Sequence, residues 1–145
     1  MMRLAFLAPS KEELLYKKEL LEKRYGAVTP EMADVIIPLG GDGFMLHTLH
    51  HPPFQGKRFF GMNCGSVGFL MNPYNEESLE ERVQNAQSTS LSSLEMKVET
   101  LQGDEHHAIA INEIYLFRET HQASKLRVTI NGHAFLGELV SDGVL

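Results

Sequence analysis

Five apolar residues, Val35-Ile36-Ile37-Pro38-Leu39, run straight into Gly40-Gly41-Asp42-Gly43 and out again into Phe44-Met45-Leu46-His47-Thr48-Leu49. A short unbroken apolar run reads as a strand buried on both faces, the habit of parallel sheets. The segment after the glycines reads as the start of a helix, here expected over Phe44 to His50. Glycine lacks a Cβ, so its backbone can come close to a ligand, and unpaired N–H groups at a helix start can point at phosphate oxygens. An aspartate in such a turn repels anions. It makes chemical sense if it accepts a proton or a hydroxyl hydrogen bond while a phosphoryl group is handled beside it.

The same alternation extends on both sides of this loop. Leu4 to Ala8 is a first buried strand. Ser10 and Glu13 have capping-box spacing and predict a helix to about Arg24, with Leu14 and Leu21 on one face and Gly26 as its stop. Ala33 to Leu39 is the second strand, and Pro52-Pro53 ends the second helix. Arg58 to Asn63 reads as a third strand, followed by a second glycine loop, Gly65-Ser66-Val67-Gly68. Asn75 is placed to cap a third helix carrying Leu79, Val83 and Ala86. Strands alternating with helices predict a mostly parallel sheet with helices packed on it.

Beyond the polar stretch Gln87 to Ser93 the period changes to two. Leu94, Met96 and Val98 alternate with Glu95, Lys97 and Glu99, the mark of a half-exposed antiparallel strand. Gly103-Asp104 predicts a turn, Ala108 to Phe117 a further strand, and Leu126, Val128 and Ile130 another. Asn131-Gly132 is a hairpin signal, because both residues tolerate the positive φ of a type I′ turn. The expected organisation is an α/β lobe over residues 1–90 and the beginning of an all-β domain over 91–145, incomplete at Leu145 and with open strand edges.

The chain has 145 residues, 43% of them hydrophobic, enough for a modest core. Its net charge of −6, without a basic run, argues against nucleic acid or an acidic membrane as a partner. The opening apolar run is too short for a signal peptide and is followed at once by Lys11-Glu12-Glu13. A single cysteine, Cys64, rules out an intrachain disulfide and fits a reducing cytoplasm. No Cys–His grammar surrounds it, so a buried structural thiol is expected. His47, His50 and His51 invite a metal reading, but no Glu or Cys completes a site at recognisable spacing, and no metal ligand is assigned.

Four motifs in order give a more specific reading. Gly40-Gly41-Asp42-Gly43 comes first. Asn63, Gly65, Gly68, Phe69 and Leu70 then match Asn-x-Gly-x-x-Gly-Phe-Leu. An Asn112-Glu113 pair and an Asp142-Gly143 pair follow. Together they resemble the N-terminal lobe and early β domain of the NAD kinase family, across nearly the whole chain. One departure is Phe44, where many members have threonine.

The resemblance implies phosphoryl transfer from ATP, or inorganic polyphosphate in some members, to the adenosine 2′-hydroxyl of NAD, giving NADP, with Mg²⁺ accompanying the triphosphate. It implies that Asp42 is the catalytic proton acceptor. Asp42, Gly43, His47, Asn112, Glu113 and Asp142 would contact NAD, with Asn112-Glu113 on a strand and facing the adenosine half, and Asp142 on the nicotinamide side. Gly40, Gly41, Gly43, Gly65 and Gly68 form the expected phosphate loops. A homodimer or homotetramer is implied, as is a longer chain in which a further segment closes over NAD; the 145 residues alone are expected to be weak or inactive. Two alternatives stand beside this reading. One is a lipid kinase of the diacylglycerol or sphingosine type, which shares the first loop. The other is a non-catalytic nucleotide-binding fragment.

Overall fold

A computed structural model describes residues 2–54, 56–66 and 68–145. Val67 of the second glycine loop and the first residue of the opening run therefore lie outside the described residues. The chain divides into two compact units, Met1–Ser90 and Leu91–Leu145.

In the first unit, β1 (Leu4–Leu7), β2 (Val35–Gly40), β3 (Arg58–Phe59), β4 (Met62–Asn63) and β5 (Asn72–Pro73) form one sheet whose strand pairs are all parallel. The central strand β2 is buried at every residue. Its odd positions Val35, Ile37 and Leu39 join Leu4, Phe6, Phe60 and Met62 in one cluster, and its even position Ile36 joins Ala5, Ala33 and Phe54 in another. Alternate side chains thus fill opposite faces, which is why the strand has no polar residue. Helix α1 (Glu12–Tyr25) sends Leu21 into the first cluster, and α3 (Leu79–Asn85) adds Leu79. Helix α2 (Asp42–Leu49) packs on β2, with Met45 and Thr48 buried; the Thr48 hydroxyl is satisfied by donating to the Phe44 carbonyl at 2.8 Å.

The expected third strand is present as two pieces, β3 and β4. Both pair with β2 in a single register, Ile36 with Phe59 and Gly40 with Asn63. The gap between them has a covalent cause. The carbonyls of Ile36 and Gly40 accept from Phe60 and Cys64 at 2.9 and 2.8 Å, so the even residues of β2 face this neighbour. Pro38 also faces it and has no N–H, leaving the Phe60 carbonyl without its ladder donor. The final strand, β5, has no counterpart in the sequence reading, because two residues ending in proline carry no periodic signal.

Three helix boundaries differ from expectation. Helix α1 begins after Lys11, whose carbonyl accepts from Leu14 and Leu15 at 3.0 and 2.9 Å; Ser10 lies one residue too early to cap it. Helix α2 begins at Asp42, not Phe44, with Gly41 extended at its N-cap. Asn75 does not cap α3, since its side-chain oxygen accepts from Glu77 N–H at 2.9 Å in a local turn and Ser78 takes the cap position.

The second unit contains antiparallel pairs: β6 (Leu94–Glu99) with β7 (Glu105–Ala110), β9 (Ser124–Ile130) with β10 (His133–Ser141), and β8 (Leu116–Phe117) with β11 (Gly143–Val144). Asn131 and Gly132 have φ of 50° and 80°, the two positive values that a type I′ hairpin demands. The strand expected over Ala108 to Phe117 is broken. β7 stops at Ala110 because its partner β6 begins at Leu94, opposite it. The chain then bends before pairing again as β8, so Asn112 and Glu113 lie in that bend and not on a strand.

Candidate active site

The site begins where β2 runs out. Gly40, its last residue, is buried, and a Cβ there would meet the Phe44 side chain at 3.1–3.4 Å. This close approach lets α2 start immediately above the strand. Gly41 and Gly43, by contrast, have nothing within 4 Å of a Cβ position. Their backbone stands open, as the expected phosphate loop needs. The Gly41 carbonyl accepts from Phe44 and Met45, each at 3.1 Å, and closes the first turn of α2.

Asp42, between these two glycines, is half-buried. Its carboxylate does not cap its own helix. Oδ2 accepts from the Phe69 N–H at 2.8 Å and Oδ1 from the Leu70 N–H at 3.0 Å. Two successive amides immediately after the second glycine loop thus grip both oxygens and fix the plane of the carboxylate. Each oxygen keeps a further lone pair for another donor.

A groove of about 450 Å³ lies beside this point, lined by Gly41 and Gly43 on either side of Asp42, though not by Asp42 itself, and by Pro9, Lys11, His47 and Gly65 among others. These residues follow the C-terminal ends of β1, β2 and β4 or lie on the first turns of α2. The carboxyl ends of parallel strands are where open α/β sheets bind ligands. Lys11 and His47 bring basic side chains to the groove. Lys11 is absent from the candidates read in the sequence, although its place just after β1 is the kind of position that could flag it. Cys64 also lines the groove, half-buried, and burial pushes its thiol pKa up, as suits an unreactive sulfur. His50 contacts the Leu46 carbonyl through Nδ1 at 3.1 Å, and His51 stacks on Phe54 at 4.5 Å. Among the described residues no three His, Cys, Asp or Glu side chains converge as a metal cage.

The remaining candidates belong to the second unit. Asn112 and Glu113 are both exposed, contrary to the expectation of a polar pair held within an apolar strand. Asp142 separates β10 from β11 and is also exposed. Its Oδ1 accepts from Arg118 Nε at 2.6 Å, and its carbonyl accepts from Arg118 N–H at 2.9 Å. The guanidinium therefore already holds one of its oxygens. A Cβ on the next residue, Gly143, would overlap the Leu116 carbonyl oxygen, so the β8–β11 approach requires glycine there.

No family model matches the chain. Curated relatives do. The NAD kinase of Rhizobium meliloti (strain 1021) is 51% identical over 142 residues, covering 98% of this chain and 55% of the relative. The NAD kinase of Caulobacter vibrioides is 47% identical over 143 residues, covering 99% and 55%. Among solved structures, an NAD kinase from Archaeoglobus fulgidus in complex with ATP superposes with a TM-score of 0.62 at 21% identity, over 98% of this chain and 59% of that one. Yeast NADH kinase complexed with NADH gives 0.66 at 17% identity, over 99% and 56%. These two likenesses establish a shared fold, a parallel α/β lobe followed by antiparallel β pairs. The chain spans about half the length of the curated relatives it matches. Along nearly all of its own length, its sequence is that of a relative of the NAD kinases.

Proposed function

We propose that this chain carries the phosphoryl-acceptor side of an NAD kinase site, in which the terminal phosphoryl group of ATP, or of inorganic polyphosphate, passes to the adenosine 2′-hydroxyl of NAD. The observation that carries this reading is the two-amide grip on Asp42 beside a groove at the carboxyl edge of a parallel sheet. The 42–51% identity to curated NAD kinases supports it.

An ordinary carboxylate is a weak base toward an alcohol. Asp42 would therefore act by position: a free lone pair accepts the 2′-hydroxyl hydrogen bond, orients the oxygen for in-line attack, and takes the proton late, as the new P–O bond forms. Fixing the carboxylate plane in advance removes the entropy of finding that geometry. The open backbone at Gly41 and Gly43, the Gly65 turn, and the Lys11 and His47 side chains would receive the polyphosphate. The magnesium ion belongs to the triphosphate substrate, neutralising its charge and polarising the transferred group. Asn112 and Glu113, both exposed, would meet the adenosine half of NAD, and Asp142, steadied by Arg118, the nicotinamide side. A reducing, cytoplasmic setting and a homodimer or homotetramer complete the reading. No helix among the described residues is long and apolar enough to cross a membrane.

The test measures NADP formation from ATP and NAD alongside calorimetric titration with NAD. In the complete protein, Asp42→Asn is expected to lower kcat by about 10²–10⁴-fold and to abolish the acid limb of the pH–rate profile in the residual activity. Near-normal turnover in that variant would overturn the proton-acceptor role. Phosphorylation of diacylglycerol or sphingosine vesicles in place of NAD would favour the lipid kinase instead.

A further inference from the structure

The sequence places Gly68 among the phosphate-loop glycines, but its surroundings point elsewhere. A Cβ built on Gly68 would lie 3.1 Å from Asp42 Oδ1 and 3.3 Å from both Cβ and Cγ of Met71. Oδ1 is the oxygen that accepts from Leu70 N–H at 3.0 Å. The empty position above Gly68 therefore faces the carboxylate, whereas Gly41 and Gly43 have nothing within 4 Å of a Cβ position. Met71 cannot easily yield, because the next residue, Asn72, is tied to Gly61 O through both its backbone N–H, at 2.8 Å, and its side chain, at 3.2 Å. The carboxylate would have to give instead. A shift of a few tenths of an ångström stretches the Leu70 bond and tilts the plane set by the two amides.

We propose that Gly68 is a positioning residue for Asp42: its missing side chain admits the carboxylate to the Phe69 and Leu70 amides, which hold it in the orientation used on the acceptor hydroxyl. The inference rests on Asp42 being the proton acceptor, and its structural half can be read without turnover. Hydrogen bonds to a carboxylate weaken when it is protonated, so the two amides must sense its titration.

The experiment follows ¹⁵N amide resonances of the 145-residue chain from neutral to acidic pH. Phe69 and Leu70 should shift together with one carboxylate midpoint, and Asp42→Asn should remove that response. Gly68→Ala should reduce it, more at Leu70 than at Phe69, with the dispersion of the β1 and β2 amides retained. In the NADP-forming assay, run on the complete protein, Gly68→Ala should lower kcat at least tenfold while KM for ATP and for NAD stays within threefold. A glycine serving the phosphates directly would raise KM for ATP. Amides that ignore the Asp42 titration, an unaltered response in Gly68→Ala, or a loss expressed in KM would each overturn the proposal. The two readings fail separately: normal turnover in Asp42→Asn removes the base and leaves the amide titration intact, whereas absent titration with an inactive Asp42→Asn removes the positioning role and keeps the base.

Discussion

At the scale of single residues, replacing Asp42 by asparagine does more than remove the proposed proton acceptor. One carboxylate oxygen becomes an NH₂ group, and whichever way the amide turns, a donor faces either the Phe69 or the Leu70 N–H. An unsatisfied donor pair of this kind costs about 1–3 kcal/mol, which is why the activity test needs the pH profile beside it. A second acid offers a cleaner titration. Asp34 accepts from the Arg3 side chain at 2.6 Å and from its backbone N–H at 2.9 Å, and these hydrogen bonds hold its pKa at about 2 against the usual 3.8. Because the folded value is depressed, the contribution to stability is full above pH 3.8 and is lost as the pH falls toward 2. Arg3→Met should raise the Asp34 midpoint toward the usual value, seen by carboxyl NMR, and flatten the pH dependence of the urea midpoint across that window. The glycines make the place of Asp42 legible from sequence. Its partners are not legible, because the bonds to Phe69 and Leu70 span 27 and 28 residues and depend on how the chain returns.

At the scale of elements, one imino acid in the central strand divides its neighbour. Pro38→Val supplies the missing N–H to the Phe60 carbonyl and a β-branched side chain suited to a buried strand. The expected result in hydrogen exchange is a protected amide at the substituted position and slower exchange at Met62. Fast exchange of the newly supplied amide would show that the gap has another cause. The strands β1 and β2, helix α1 and the β9–β10 hairpin are readable because each is written in a local pattern: continuous apolar runs, a seven-residue spacing, an Asn-Gly pair. The bend at Asn112-Glu113 is not, since Ile109 to Leu116 looks uniformly strand-like. What ends β7 is the length of β6, a fact about its partner.

At the scale of the molecule, the two units differ in kind. Every fully buried hydrophobic residue, from Leu4 to Leu79, belongs to the first. In the second no residue is fully buried, and Ile109, Leu116, Phe117, Phe135 and Val140 are exposed. Hydrogen-bonded strand pairs without a buried apolar face carry little stability of their own. Limited proteolysis of the 145-residue chain should therefore cut first beyond Ser88 and digest residues 91–145, leaving a resistant fragment that ends near Ser90. Survival of the second unit at equal protease would show that it holds together on backbone pairing alone. The change of period near residue 90 is visible in the sequence, but the lack of a core is not, because Leu94, Met96 and Val98 alternate as faithfully as if they had something to pack on.

The tie between Asp42 and the Phe69–Leu70 amides makes the orientation of one carboxylate a property of chain closure. The turn that carries it is closed by bonds from Phe44 and Met45 to Gly41, whereas the amides that hold the acid lie between β4 and β5, 27 and 28 residues further along. Where the carboxylate points is thus decided by a part of the lobe distant in sequence from its own turn, through two hydrogen bonds.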